Sequence, residues 1–247
     1  MTYKDKKAIV TGGSRGIGYA IAGALVKKGC KVVITGRNGE TLKQAAAELG
    51  DAVIPMVWDA AEIERADQKL REAVELLGGL DIVVNNAGIF AQRGEWGKET
   101  LLQTTVDEWE RVMRTNTSAL FFTMQAAVNY MRRHNICGNI LNVTSVAGYE
   151  PVYGAYGASK TAASALTRGW GKMFADEGIT INGIAPGPVA TEMNNWHEGD
   201  PMEHERIPYG RFATIDEIAD LALYLLSDSA RMVCGETVVL DGGYAIR

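Results

Sequence analysis

Cysteine is scarce in this chain of 247 residues, and what there is cannot pair up neatly: Cys30, Cys137 and Cys234 are three in number, far apart, and in no C-x-x-C arrangement. A disulfide framework or a thiolate metal site needs closer or even-numbered cysteines, so these read as inert buried thiols in a reducing compartment, and the expected location is cytoplasmic. Basic runs are short too, the longest being Arg132-Arg133-His134, and the net charge is -5. A protein that neutralises a phosphate backbone needs a positive face, so no nucleic-acid partner is expected. No uninterrupted apolar run is long enough to span a bilayer, and the opening MTYKDKKAIV has charges but no apolar core of a secretory signal. No membrane partner is expected. Repeats, low-complexity tracts and Pro/Ser-rich linkers are missing as well, so residues 1–247 are expected to form one domain.

What is present is a rhythm. Short apolar runs recur at KAIVTG (7–12), KVVITG (31–36), AVIPMVW (52–58), DIVVNN (81–86), NILNVTS (139–145), TINGIAP (180–186) and ETVVLDG (236–242). Most are nearly continuous in Val and Ile, the pattern of strands covered on both faces. Helix-length stretches lie between them, GIGYAIAGALVKKG and EIADLALYLLS among them. The expected fold is α/β: a Rossmann-type, doubly wound parallel sheet of about seven strands with helices on both faces. The rhythm breaks from 187 to about 213, a polar, acidic stretch interrupted by Pro and Gly, which reads as a lid over a binding site.

The first strand runs into TGGSRGIG, residues 11–18, and on into a helix. Glycines at 12, 16 and 18 permit a tight turn and close approach of the backbone to a pyrophosphate, and the helix N-terminus offers unpaired N–H groups and a positive dipole end. The spacing is G-x-x-x-G-x-G rather than G-x-G-x-x-G. The cradle is expected to comprise Gly12, Ser14, Arg15, Gly16, Ile17 and Gly18. At the end of the second strand, where an NAD site carries a carboxylate for the ribose 2′-hydroxyl, the chain reads Thr35-Gly36-Arg37-Asn38, with no acid before Glu40. Arg37 suits a 2′-phosphate, and Arg15 is a second candidate for the same group, so NADP(H) is favoured over NAD(H).

With this cradle, the blocks NNAG (85–88), Asn116 in RTNTSALF, Ser145 in NVTSVAG, Tyr156 and Lys160 in YGASK, and PGPVAT (186–191) come in one order from end to end. In them the chain resembles the short-chain dehydrogenase/reductase family, in its short single-domain branch. Among Tyr149, Tyr153 and Tyr156, only the last has a lysine four positions on, which on a helix places phenol and ammonium on one face. An ammonium there favours phenolate and is expected to lower the tyrosine pKa toward working pH, making Tyr156 the general acid in carbonyl reduction and general base in alcohol oxidation. The resemblance implies that Lys160 also binds the nicotinamide ribose, that Ser145 hydrogen-bonds the substrate oxygen, and that Asn116 holds a water linking Lys160 to solvent. It further implies adenine contact by Asp59, cofactor lining by Asn85, Ala87 and Gly88, and nicotinamide contacts from Pro186, Gly187, Val189 and Thr191.

Three features depart from the family's usual pattern. Ser145 and Tyr156 are 11 positions apart, a short stretch that trims the loop of Tyr149, Pro151 and Tyr153, with Thr144 as an alternative donor. The segment near 90–100 is longer, and its Trp96 is a candidate rim contact or a loop-packing residue. The lid is acidic around Trp196. His197 and His204 stand seven apart on a broken loop, which is no ligand spacing, so no metal is expected.

Three functions compete. The first is reduction of a small ketone, cyclic or sugar-like, or oxidation of its alcohol. The second is 3-oxoacyl-carrier-protein reduction, because the segment from RIPYGRFA to VVLDGG resembles that subfamily; Arg132 and Arg133 are then the candidate docking cations for an acidic carrier. The third is a non-catalytic dinucleotide-binding scaffold. By resemblance, the chain is also expected to form a homotetramer or homodimer, through segments 105–133 and 155–176 and the C-terminal VVLDGGYAIR.

Overall fold

The computed structural model of the protein describes residues 3–90, 98–151 and 153–245. Seven strands form a single parallel sheet: β1 (Lys7–Thr11), β2 (Lys31–Gly36), β3 (Val53–Val57), β4 (Ile82–Asn85), β5 (Asn139–Val143), β6 (Thr180–Pro186) and β7 (Thr237–Leu240). Their order across the sheet is β3-β2-β1-β4-β5-β6-β7, so the chain reverses its direction of travel at β1 and β4. A doubly wound sheet binds its ligand in the crevice at that reversal, outside the carboxyl ends of the strands.

Successive strand residues point to opposite faces, so a Val/Ile run buried on both sides fills two cores at once. Ala8 and Val10 of β1 join Val32, Ile34, Ile82, Val84 and Leu141 on one face. Ile9, one residue away, joins Val33, Val83 and Ile140 on the other. The first face is covered by α1 (Gly16–Lys27), α2 (Gly39–Leu49) and, later in the chain, Ile218, Ala222 and Leu225 of the last helix. The second is covered by α3 (Ala66–Leu77), then, beyond the short α4 (Lys98–Leu102) and α5 (Val106–Met113), by α6 (Ala119–Arg133) and α7 (Ala155–Phe174). The last helix is α8 (Ile215–Leu225). Ile9, Ile34, Leu70 and Ile140 are fully buried, each contributing about 2 kcal/mol of apolar burial.

Between α5 and α6 the chain makes one π-turn, Arg114–Ser118, in which Ala119 N–H bonds the Arg114 carbonyl. The segment expected to act as a lid, 187–213, is more ordered than its composition suggests. It holds a 3-10 turn, Glu192–Asn194, and two isolated bridges, Val189 with Ala213 and Glu203 with Arg211. Its far end is fixed by α8: Thr214 and Glu217 form a reciprocal cap, and Glu217 also holds Arg211 at 2.7 and 3.0 Å. That guanidinium and the cap hold the Glu217 carboxyl down to about 2. No described helix is long and apolar enough to cross a membrane.

Candidate active site

β1 ends at Thr11 because Gly12 follows with φ +65°, a left-handed conformation open chiefly to glycine, and Gly16 repeats it at +56°. Gly18 is needed for a different reason: a β-carbon there would collide with the Gly12 carbonyl and the Asn86 amide. The loop is braced from β4. Asn86 Nδ2 donates to the Thr11 and Gly12 carbonyls, both at 3.0 Å, while Thr11 Oγ1 accepts from Asn86 N and Ala87 N. Helix α1 begins beyond the loop with no side-chain cap and no acid in its first turn. Uncapped N–H groups behind a glycine turn, with no carboxylate to compete, fit the pyrophosphate of a dinucleotide.

The two arginines differ. Arg15 Nη1 is paired with Glu192 Oε2 of the lid at 2.6 Å. Arg37 is exposed, and among the described residues no carboxylate pairs with it. Asn38, expected at the cofactor, spends its side chain capping α2, accepting from Glu40 N and Thr41 N. Asn85 is similarly diverted: its amide donates to Asn142 Oδ1 inside the sheet, and Asn142 in turn donates to Thr167 on α7. Asp59 accepts from Ala61 N and keeps one oxygen over. Val189 is buried in the core and paired with Ala213, while Gly187 packs so tightly on β7 that a β-carbon would come within 2.6 Å of Asp241 Cβ. Gly16 and Thr191 approach one another, a β-carbon on the former lying 3.8 Å from Thr191 Cγ2, which brings loop and lid together.

The three tyrosines separate by exposure. Tyr149 is 45% and Tyr153 67% exposed, whereas Tyr156 is half-buried. Tyr156 sits in the first turn of α7 with Lys160 one turn on, the ammonium 5.7 Å from the ring centroid. Lys160 is itself buried, and its Nζ donates to the Val143 carbonyl at the end of β5 at 3.0 Å. A β-carbon at Gly88 would stand 3.6 Å from that Nζ and 3.3 Å from Asn116 Oδ1, so the NNAG glycine keeps room around the ammonium. Ser145 comes from the turn after β5 and is hydrogen-bonded to the Tyr156 side chain. That turn lies on α7 without space for a side chain: a β-carbon at Gly148 would be 2.8 Å from the Lys160 carbonyl carbon. Glycine at 148 thus allows the short Ser145–Tyr156 stretch to close. Thr144, the alternative donor, is buried and turned to the Ile184 carbonyl, so the serine is the hydroxyl that faces the phenol.

Electrostatics here differ from the sequence expectation in one respect. Burial dominates and pushes the Tyr156 phenol above its ordinary value, with Ser145 acting in the opposite sense. Burial also holds the Lys160 ammonium down to about 8. The lysine is therefore the more labile acid of the pair, and the phenol stays protonated at neutral pH.

Asn116 sits at the π-turn and is buried. Its Oδ1 accepts from Ile89 N at 2.8 Å, and its Nδ2 donates to the Ile89 carbonyl and to Ser159 Oγ, which passes a bond to the Tyr156 carbonyl at 2.7 Å. Its amide is thus spent on positioning. Ser159, Thr11 and Asn86 are working residues that sequence reasoning missed; the hydroxyl three positions after Tyr156 on the same helix was the available signal for the first. Trp96 lies outside the described residues.

Over residues 12–245 the chain matches the protein-family model described as Enoyl-(Acyl carrier protein) reductase. It belongs to the short-chain dehydrogenase/reductase family. It is 34% identical over 98% of its length to an NADP-dependent (R)-specific alcohol dehydrogenase of Lentilactobacillus kefiri, of which 97% is covered. It is 32% identical over 97% of its length to a 3-oxoacyl-[acyl-carrier-protein] reductase of Aquifex aeolicus, again 97% covered. The solved structure of a dehydrogenase/reductase from Sinorhizobium meliloti superposes with a TM-score of 0.87 at 33% identity, covering 100% of this chain and 97% of that one. As a short-chain dehydrogenase/reductase the protein is an oxidoreductase of CH–OH groups, and the family binds NAD(P).

Proposed function

We propose that the chain interconverts a small ketone and its secondary alcohol with NADP(H), Tyr156 giving or taking the proton. The observation that carries this reading is the half-buried phenol bonded to Ser145, one turn from a buried ammonium whose partner is a main-chain carbonyl. The glycine loop at 12–18 and the first turn of α1 hold the pyrophosphate, with Asp59, the Ala87–Gly88 main chain and the 186–191 segment around the rest. Lys160 holds the nicotinamide ribose as well as facing the phenol. Bound there, the nicotinamide supplies or accepts the hydride.

In reduction, the Ser145 hydroxyl donates to the substrate carbonyl oxygen and steadies its developing charge. The phenolic O–H of Tyr156 breaks, and its proton passes to that oxygen as the carbonyl carbon receives the hydride. A phenol raised by burial is a competent donor at neutral pH because it is still protonated. Lys160, labile near pH 8, then returns a proton to the phenolate. Asn116 keeps α7 and the Ile89 corner in register around this chain. Oxidation runs the same path backward and needs the phenolate, so it gains from alkaline pH.

NADP(H) is preferred because Arg37, exposed after β2 and with no carboxylate partner among the described residues, suits a 2′-phosphate. The NADP-dependent relative from Lentilactobacillus kefiri is consistent with that choice. Residues 1–247 act as one cytoplasmic unit with 187–213 as its lid, assembled as a homotetramer.

Carrier-linked 3-oxoacyl thioesters are the second reading, favoured by the Aquifex aeolicus relative. Against it, Arg132 is paired with Glu177 at 2.7 Å, and Arg132 and Arg133 close α6 just before β5 begins, at the end of the sheet opposite the catalytic residues. The docking cations expected from the sequence are thus at the wrong end. The deciding experiment follows nicotinamide absorbance with NADPH and NADH across free ketones and a carrier-linked 3-oxoacyl thioester. Turnover of free ketones, at least tenfold better with NADPH, is expected. Strong preference for the carrier substrate refutes the small-molecule reading, and full activity in Tyr156→Phe refutes the proton donor.

A further inference from the structure

Phe90 stands two residues beyond the NNAG block, and its ring meets the ring of Tyr156 edge-on, with centroids 4.8 Å apart and planes at 77°. This is the favoured arrangement of an aromatic pair, a positive edge set against a negative face. The contact is held from behind. Asn116 clamps both main-chain groups of the preceding residue, accepting from Ile89 N and donating to the Ile89 carbonyl. The Ile89 side chain packs with Val112 of α5 and Ala155, the residue before Tyr156 in α7. The corner that presents Phe90 is therefore tied to the same helix that carries the phenol, so its main chain is fixed relative to Tyr156.

We infer that Phe90 is the residue that aims the Tyr156 phenol and limits the size of the substituent on its side of the substrate carbonyl. This rests on the ketone/alcohol reading of the site. A ring standing edge-on against the tyrosine blocks the χ1 swing that would carry the phenol oxygen toward Phe90, and so holds the hydroxyl in one direction. It also occupies one flank of the phenol, so a ketone reaching that hydroxyl must turn its smaller group toward Phe90. The enzyme then favours ketones with one small arm. The same ring shields the phenol from water, the larger cause of its raised pKa. Ser145, from the turn after β5, and Lys160, on the tyrosine's own helix, are the other groups facing it.

The test measures kcat/KM of Phe90→Ala and Phe90→Leu on two ketones that differ only in the smaller arm, methyl against isopropyl, within a series the parent reduces. The pH midpoint of alcohol oxidation is measured alongside. The parent is expected to favour the methyl ketone. Phe90→Ala should cut that preference at least tenfold and move the oxidation midpoint to lower pH, because water now reaches the phenol. Phe90→Leu should move both the same way by a smaller amount. A purely structural role would lower activity on both ketones equally and leave the midpoint in place, and that result overturns the inference. Should the alanine variant fail to fold, an unchanged preference in Phe90→Leu overturns it equally. Failure of the underlying reading is seen elsewhere, in a parent enzyme that reduces no ketone at all.

Discussion

Burying Lys160 costs this chain stability. Its ammonium is buried, and the fall from an ordinary 10.5 to about 8 corresponds to a cost of about 3 kcal/mol when the group is charged. The sign follows from proton counting. Between about pH 8 and 10.5 the unfolded chain holds a proton on this lysine that the folded one has released, so raising the pH favours the fold. Replacing it, Lys160→Met, removes the penalty but leaves the Val143 carbonyl without its donor, a loss of about 1–2 kcal/mol. The variant should be more stable than the parent by about 1–2 kcal/mol at pH 7 and lose that advantage as pH climbs from 8 to 10, while activity falls about 10³-fold. Thermal unfolding at several pH values checks it; an advantage independent of pH would mean that folding does not shift the lysine's pKa. At this scale the sequence disclosed types and spacings but not directions. Tyr156 and Lys160 were legible because four positions on a helix fix one face. Asn85 and Asn86 were not: neighbours at the end of a strand point to opposite sides, and only the point where β4 stops decides that the first turns into the sheet and the second onto the glycine loop. The tyrosine pKa was misjudged for a related reason, since a charge partner can be read from spacing but burial cannot.

Elements meet at the Arg15–Glu192 pair, which joins the glycine loop to the first turn of the lid. Both side chains are largely exposed, so the pair contributes at most about 1 kcal/mol. That small number bounds what freeing Arg15 can do. In Glu192→Gln the guanidinium is released toward any nearby phosphate, and the preference for NADPH over NADH in kcat/KM should rise, by no more than about fivefold, a factor worth about 1 kcal/mol. An unchanged ratio would leave 2′-phosphate recognition to Arg37 alone. The strands around this loop were read almost to the residue, because Val/Ile runs covered on both faces have no helical period to confuse them. The 98–133 region was harder. α4 has five residues and too few turns to display a period, and the π-turn that carries Asn116 depends on a hydrogen bond between Ala119 and Arg114 that no residue type announces. The lid read as a polar loop because its order comes from two isolated bridges and the Arg211–Glu217 pair, contacts made across distance in the chain.

For the whole molecule, the question is what covers the surface the two cores leave over. Val106 and Trp109 of α5, Phe122 of α6 and Met173 of α7 are exposed, on the segments 105–133 and 155–176 where a first interface is expected. A second is expected across the sheet: β7 is an edge strand, Val239 on it is exposed, and Met232 just before it is 96% exposed. Edge strands and apolar patches left open invite association, and two separate patches on one chain close into a tetramer of two-fold interfaces. Light scattering should give the mass of four chains. Val239→Lys places a charge on the β7 edge alone, so it should halve the mass to a dimer and leave the fold, read by circular dichroism, unchanged. Trp109→Lys acts on the other patch and should also halve it, while the double variant should run as a monomer. If either single variant went directly to monomer, the two patches would belong to one interface, and if neither changed the mass, these apolar side chains would serve only the single chain.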